Sequence, residues 1–171
     1  MAKYLVTGGA GFIGSHLVDA LIQRGDSVVL LDDLSTGRHD NIRQHSGSPE
    51  LEFVLGSILN EALVDDVVRR CDFVIHLAAA VGVNLIVERP LESLATNIRG
   101  SETVLEKCHK YGRKVLVAST SEIYGKNTSD ALSEEDDRIL GSPLKTRWSY
   151  SEAKAIEEVL AHAYWREKGL P

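Results

Sequence analysis

The sequence predicts an α/β fold on a doubly wound parallel sheet, and three observations carry that prediction. Five short runs rich in Val, Ile and Leu alternate with longer stretches whose apolar residues recur at helical spacing. Three of the five runs are nearly continuous in apolar residues, the pattern of strands covered by helices on both faces. A composition of 43% apolar and 26% charged residues over 171 positions describes one globular domain rather than a disordered or fibrous chain.

The strands are expected at 3–7, 27–31, 51–55, 73–77 and 114–118, and helices near 12–24, 60–70, 90–111 and 149–168. Short strand-like runs thus alternate with helix-like stretches along the chain. The last helix carries Ala153, Ile156, Leu160, Ala163 and Tyr164 at helical spacing and ends at Gly169 and Pro171, which read as stop signals. Repeated βα progression makes the sheet parallel, with right-handed crossovers.

The net charge of −6, from 19 basic and 25 acidic side chains, and the lack of a basic stripe argue against a nucleic-acid partner. No run approaches the roughly 18 apolar residues of a membrane helix, and no secretory leader pattern opens the chain, so no membrane partner is expected. Cys71 and Cys108 lack metal spacing and read as buried free thiols, consistent with a cytoplasmic protein. The histidines at 16, 39, 45, 109 and 162 show no partners at ligand spacing, so no metal is expected. Five carboxylates between Asp130 and Asp137 read as a solvated loop, and no Gly-x-Ser-x-Gly elbow is present.

The sharpest motif is Thr7-Gly8-Gly9-Ala10-Gly11-Phe12-Ile13-Gly14, between the first strand and the first helix. Glycines 8, 11 and 14 permit a tight turn and close approach of a pyrophosphate to the positive end of the helix. The second strand ends at Asp32-Asp33, about 20 residues past the loop, where a carboxylate accepts hydrogen bonds from a ribose. Two adjacent carboxylates repel a 2′-phosphate, which favours NAD over NADP. Arg38, further along the loop, reads as a solvated residue.

Ser119-Thr120-Ser121-Glu122 falls at the carboxyl end of the fifth strand, the edge at which open α/β sheets bind ligands; a plain strand-to-loop cap uses the same hydroxyls. Tyr150 and Lys154 stand four apart at the start of the last helix and share a face. A lysine cation there lowers the tyrosine pKa and makes a proton acceptor, the acid/base part of a hydride transfer.

These residues together resemble the N-terminal half of an extended short-chain dehydrogenase/reductase in the NAD-dependent nucleotide-sugar epimerase/dehydratase family, with its Rossmann-like sheet. The resemblance rests on the glycine motif, Asp33-Leu34-Ser35-Thr36-Gly37, His76-Leu77-Ala78-Ala79, Asn97, Thr120-Ser121-Glu122, and Tyr150 with Lys154. It implies a catalytic set of Thr120, Glu122, Tyr150 and Lys154. It also implies that NAD is bound by Gly8, Gly11, Phe12, Ile13, Gly14, Asp32, Asp33, Ser35, Thr36, Gly37, Ser57, Ile58, Leu77, Ala78, Ala79, Asn97, Tyr150 and Lys154. The implied reaction is transient oxidation of a nucleotide sugar at C4. The substrate is expected to be a UDP-sugar, as in UDP-glucose 4-epimerases or UDP-glucuronate decarboxylases.

Glu122 points toward the dehydratase and decarboxylase branches, where an acidic side chain works near sugar C5; an ion pair that does not touch the sugar, or a loop cap, is the alternative. Where the family often carries Asp after the third strand, this chain has Gly56-Ser57-Ile58, which implies a weaker grip on the adenine. The resemblance also implies a homodimer through helices near 93–111 and 149–168, with Leu94, Ile98, Val104, Leu105, Ala155, Val159 and Tyr164 as apolar surface. Residues 1–171 are expected to be the NAD-binding domain, truncated before a sixth strand and a C-terminal substrate-binding region. The competing expectation is a non-catalytic NAD-binding module or an inactive fragment.

Overall fold

The computed structural model describes residues 1–171, the side chains of residues 83–85 excepted. Its centre is a five-stranded parallel sheet of β1 (Lys3–Thr7), β2 (Ser27–Asp32), β3 (Leu51–Leu55), β4 (Phe73–His76) and β5 (Lys114–Val117), in the order β3-β2-β1-β4-β5. The expected strands match within one residue: β2 runs on to Asp32, while β4 and β5 stop at His76 and Val117. β1 pairs with β2 and β4, so its carboxyl end lies where the strand order reverses, the position at which such sheets open a crevice.

Helices cover both faces. On one, α1 (Phe12–Gln23) packs Val18 and Leu21 onto Val6, Val28 and Leu30. On the other, α2 (Glu61–Arg69), α5 (Ser101–Tyr111) and α6 (Ser149–Lys168) bury Val64, Val67, Val104 and Leu105 against Leu5, Val29, Leu31 and Val74. Local chemistry sets the boundaries. The Asn60 side chain accepts from the Leu63 amide at 3.1 Å and starts α2, and left-handed Gly112 and Gly169 end α5 and α6.

The expected single helix over 90–111 is three segments: α4 (Pro90–Leu94), a π-turn at Ala95–Gly100, and α5. The π-turn has a visible cause. Asn97, 1% exposed, accepts from the Ala80 amide at 2.6 Å and donates to the Ala80 carbonyl at 3.1 Å, drawing the helix toward the loop after β4. A further short helix, α3 (Val83–Glu88), and 3₁₀ turns at His39–His45, Ser121–Tyr124 and Thr146–Trp148 had no periodic signal in the sequence. Cys71 and Cys108 are buried, and burial pushes their thiols up to about 11 and about 12.

Candidate functional site

A cleft of about 610 Å³ opens along the carboxyl ends of β1, β2, β4 and β5. The loop after β1 forms its floor because no Cβ atom interrupts it. Gly8 is left-handed, and a Cβ there would lie 2.7 Å from the Ala78 amide nitrogen; a Cβ at Gly14 would lie 2.3 Å from the Gly8 carbonyl oxygen. α1 begins at Gly11 with no side-chain cap and no acidic residue in its first turn, so its positive end faces the cleft. Gly8, Gly11, Phe12, Ile13 and Gly14 all border the cleft.

The two carboxylates at the end of β2 do different work. Asp32 is buried, and its oxygens accept from the Ala10 amide at 2.9 Å and the Leu34 amide at 2.8 Å, which ties the glycine loop to the next one. Asp33 is exposed and accepts from the Ser35 amide at 2.9 Å, with lone pairs left over. Both border the cleft, together with Ser35, Thr36, Gly37, Ile58, Leu77, Ala78 and Ala79.

Two expected cofactor residues stand elsewhere. Asn97 supports the wall from behind, because both ends of its amide are taken up by Ala80. Ser57 lies outside the cleft lining, and its hydroxyl accepts from the Leu59 amide at 3.3 Å. Arg89, Glu92 and Thr96 border the cleft unanticipated; they lie in a helical region whose spacing gave no hint of its facing.

On the opposite wall Tyr150 and Lys154 both border the cleft, one turn apart on α6. The expected electrostatics is corrected here. Lys154 is 3% exposed and its ammonium donates to Glu157 Oε2 at 2.5 Å, one turn further along the helix. The Tyr150 hydroxyl is raised above its ordinary value by burial, with the charges of Glu122 and Glu157 pushing the same way. A shared helix face establishes that two residues can meet, but not which neighbour wins the cation.

Beneath Lys154 lies a buried polar chain. Thr7 Oγ1 and His76 Nδ1 are 2.7 Å apart, His76 Nε2 is 2.9 Å from Ser101 Oγ, and Glu157 Oε1 is 3.6 Å from His76 Nε2. Burial, with the Lys154 charge adding, pushes His76 down to about 3, so its imidazole is neutral at pH 7. His76 is therefore an internal brace rather than a group facing the cleft.

Thr120 and Glu122 sit beyond the cleft lining. Thr120 Oγ1 caps the turn at Ser121–Tyr124 by accepting from the Glu122 amide at 3.3 Å, and its O–H remains able to donate. Glu122 is exposed and 3.4 Å from the Arg147 guanidinium. Ser119 borders the cleft instead, and donates to Glu158. A second hollow, about 750 Å³, runs along residues 88–99 on the helix surface. Among the described residues no group of three or more His, Cys, Asp or Glu side chains could hold a metal ion, and no helix is long and apolar enough to cross a membrane.

The family model for the NAD-dependent epimerase/dehydratase family matches residues 4–171. The chain belongs to that family. It is 41% identical, over 99% of its own length and 51% of the other, to a UDP-N-acetyl-alpha-D-glucosaminuronate decarboxylase of Bacillus cytotoxicus. Among solved structures it resembles the UDP-glucose 4-epimerase of Thermotoga maritima with UDP-glucose: 36% identity, TM-score 0.86, covering 98% of this chain and 52% of that one. It also resembles the UDP-glucose 4-epimerase of Thermus thermophilus in complex with NAD: 33% identity, TM-score 0.84, covering 98% and 52%. The chain thus spans about half the length of these family members. The family is NAD-dependent and its named members here are enzymes acting on nucleotide sugars.

Proposed function

We propose that this chain is the NAD-binding unit of an enzyme that acts on a UDP-sugar by transient oxidation at C4. The observation that carries the reading is the meeting of Tyr150 and Lys154 with the glycine loop and the Asp32-Asp33 strand end in one cleft. The cleft fits NAD: the floor cleared of Cβ atoms at Gly8 and Gly14 and the uncapped start of α1 suit a pyrophosphate, and Asp33 suits a ribose diol. When bound, NAD supplies the oxidant for the sugar alcohol.

The protein's own part is positioning and proton transfer. Tyr150 Oη takes the proton of the 4-hydroxyl, Lys154 holds the nicotinamide ribose, and the Thr120 O–H donates to the same 4-hydroxyl oxygen. Glu122 works near C5, and the neighbouring Arg147 offsets its charge. The substrate-binding region lies in the part of the relatives' length that this chain does not span. The assembly is a cytoplasmic homodimer through the helices near 93–111 and 149–168. Val159, 67% exposed, belongs to that surface, whereas Val104, Leu105 and Ala155 are buried within the chain and do not.

Similarity to the Bacillus decarboxylase and the acidic Glu122 favour decarboxylation of a UDP-uronate; similarity to the two epimerases favours 4-epimerisation. Product-resolved NMR of the full protein with NAD, UDP-glucuronate and UDP-glucose separates them. A UDP-pentose assigns decarboxylation, and UDP-galactose alone assigns epimerisation. Bound NAD with neither product overturns both assignments and leaves a different nucleotide sugar or a non-catalytic NAD-binding module.

A further inference from the structure

We infer that Glu157 is a positioning residue that draws the Lys154 ammonium into a charge-neutral pair at the cleft wall and withholds that cation from Tyr150; the functional consequence rests on the roles proposed above for Tyr150 and Lys154. Tyr150 lies one turn before Lys154 on α6 and Glu157 one turn after, so the two compete for one ammonium. In the structure Glu157 has it, at 2.5 Å. A cation and an anion this close act at a distance as a dipole, whose field falls off faster than that of a lone cation.

Among the described residues, no other cation lies beside Glu157. Its carboxylate is 1% exposed, and Oε1 has no hydrogen-bond partner among the described residues. From β4 it faces His76, which is neutral; from the start of α5 it faces Ser101; on α6 itself its charged neighbours are Lys154 and Glu158. Burial pushes the Glu157 carboxyl above its usual range, and Lys154 and Ser101 pull it back. A buried carboxylate without Lys154 is strongly disfavoured, which gives the pair its hold. Tyr150 in turn faces Glu122 from the turn at Ser121–Tyr124, with Arg147 paired to that carboxylate, and Glu157 from its own helix. Releasing the cation from Glu157 is therefore the change that moves Tyr150 toward a better proton acceptor.

The test is the tyrosinate absorbance titration of Tyr150, isolated as the difference between the protein and its Tyr150→Phe counterpart. Glu157→Gln keeps the shape and removes the negative charge, and Tyr150 is expected to titrate about one pH unit lower. An unchanged or raised titration overturns the inference. Should Glu157→Gln fail to fold, the paired replacement Lys154→Met with Glu157→Met removes both charges, a change that buried ion pairs often tolerate. Tyr150 is then expected to titrate within about half a unit of the parent, because a compensated pair exerts little net field. A rise of about one unit or more in that double variant shows that Lys154 acts on Tyr150 despite Glu157, and overturns the inference. The titration requires neither nucleotide nor sugar. A protein that shows the shift but makes no product in the NMR assay keeps the pairing and loses the reading of the reaction.

Discussion

The glycine-loop wall of the cleft is held by backbone, whereas the wall that carries Tyr150 is held by side chains. On the first, the Gly8 amide donates to the Leu31 carbonyl at 2.8 Å, the Leu77 amide donates to the Thr7 carbonyl at 3.1 Å, and Asp32 is bound by two backbone amides. On the second, residues 121–148 contribute two short 3₁₀ turns and one isolated bridge between Gly125 and Ile139, with Ile123 the one buried residue among them. The difference separates two tasks. On the proposed function, a wall that receives the cofactor's phosphates can be built rigidly from glycines and strand ends. A wall that would receive a sugar calls for exposed side chains on a segment with little packing to disturb.

The largest break in that comparison is expected on the second wall. Tyr150→Phe removes one oxygen atom from a half-buried ring and should lower kcat by about 10²–10⁴, the usual contribution of a positioned acid/base group. Thermal unfolding should move little. Loss of NAD affinity in the same proportion as kcat would show instead that the hydroxyl serves binding.

On the first wall the same economy of atoms should act through stability. Gly14→Ala places a Cβ 2.3 Å from the Gly8 carbonyl oxygen and 2.6 Å from the Gly9 Cα, both backbone atoms that cannot rotate away. A cost of about 2–3 kcal/mol is expected from overpacking, together with weakened NAD binding. Urea denaturation and calorimetric titration with NAD check both. An alanine variant as stable as the parent would mean that the loop is not close-packed.

Behind the first wall, His76 gives a pH dependence whose sign can be worked out. Folded, its pKa is about 3; unfolded, the imidazole returns to its ordinary value of 6.5. Between those values the unfolded state binds more protons, so this group's contribution is complete above the unfolded value and falls as pH drops, by up to about 1.4 kcal/mol per pH unit. Urea midpoints measured through that window should fall with pH in the parent, and His76→Asn should flatten the slope. An identical slope in the variant would place the imidazole in contact with solvent.

How much of this was legible in the sequence differs between the walls for the same reason. The glycine loop, Asp32-Asp33 and Leu77-Ala78-Ala79 are contiguous runs set by backbone geometry, so local sequence announces them. All five strands were legible within a residue because buried parallel strands need apolar runs. Asn97 was legible as a residue of interest but not as a brace, since its partner Ala80 is a backbone group 17 positions away. Glu157 was missed although its spacing from Lys154 is a standard helical pair. Spacing alone did not tell a buried ion pair from a solvated one, and the burial comes from β4 and α5 closing over it.

The smallest expected effect sharpens the account of the second wall. Arg138 donates to the Ile123 carbonyl at 3.3 Å and to Glu152 at 3.2 Å, tethering the turn that carries Glu122 to the first turn of α6. Both ionic partners are substantially exposed, so solvent screens the pair, and Arg138→Ala should cost less than about 1 kcal/mol of stability. Because Tyr150 is carried by α6 and not by this tether, kcat should change by no more than about threefold. A much larger fall in kcat with an unchanged Tm would mean that the exposed segment positions the reacting groups directly. In that case the looser wall would be as closely set as the glycine loop, with side chains in place of backbone.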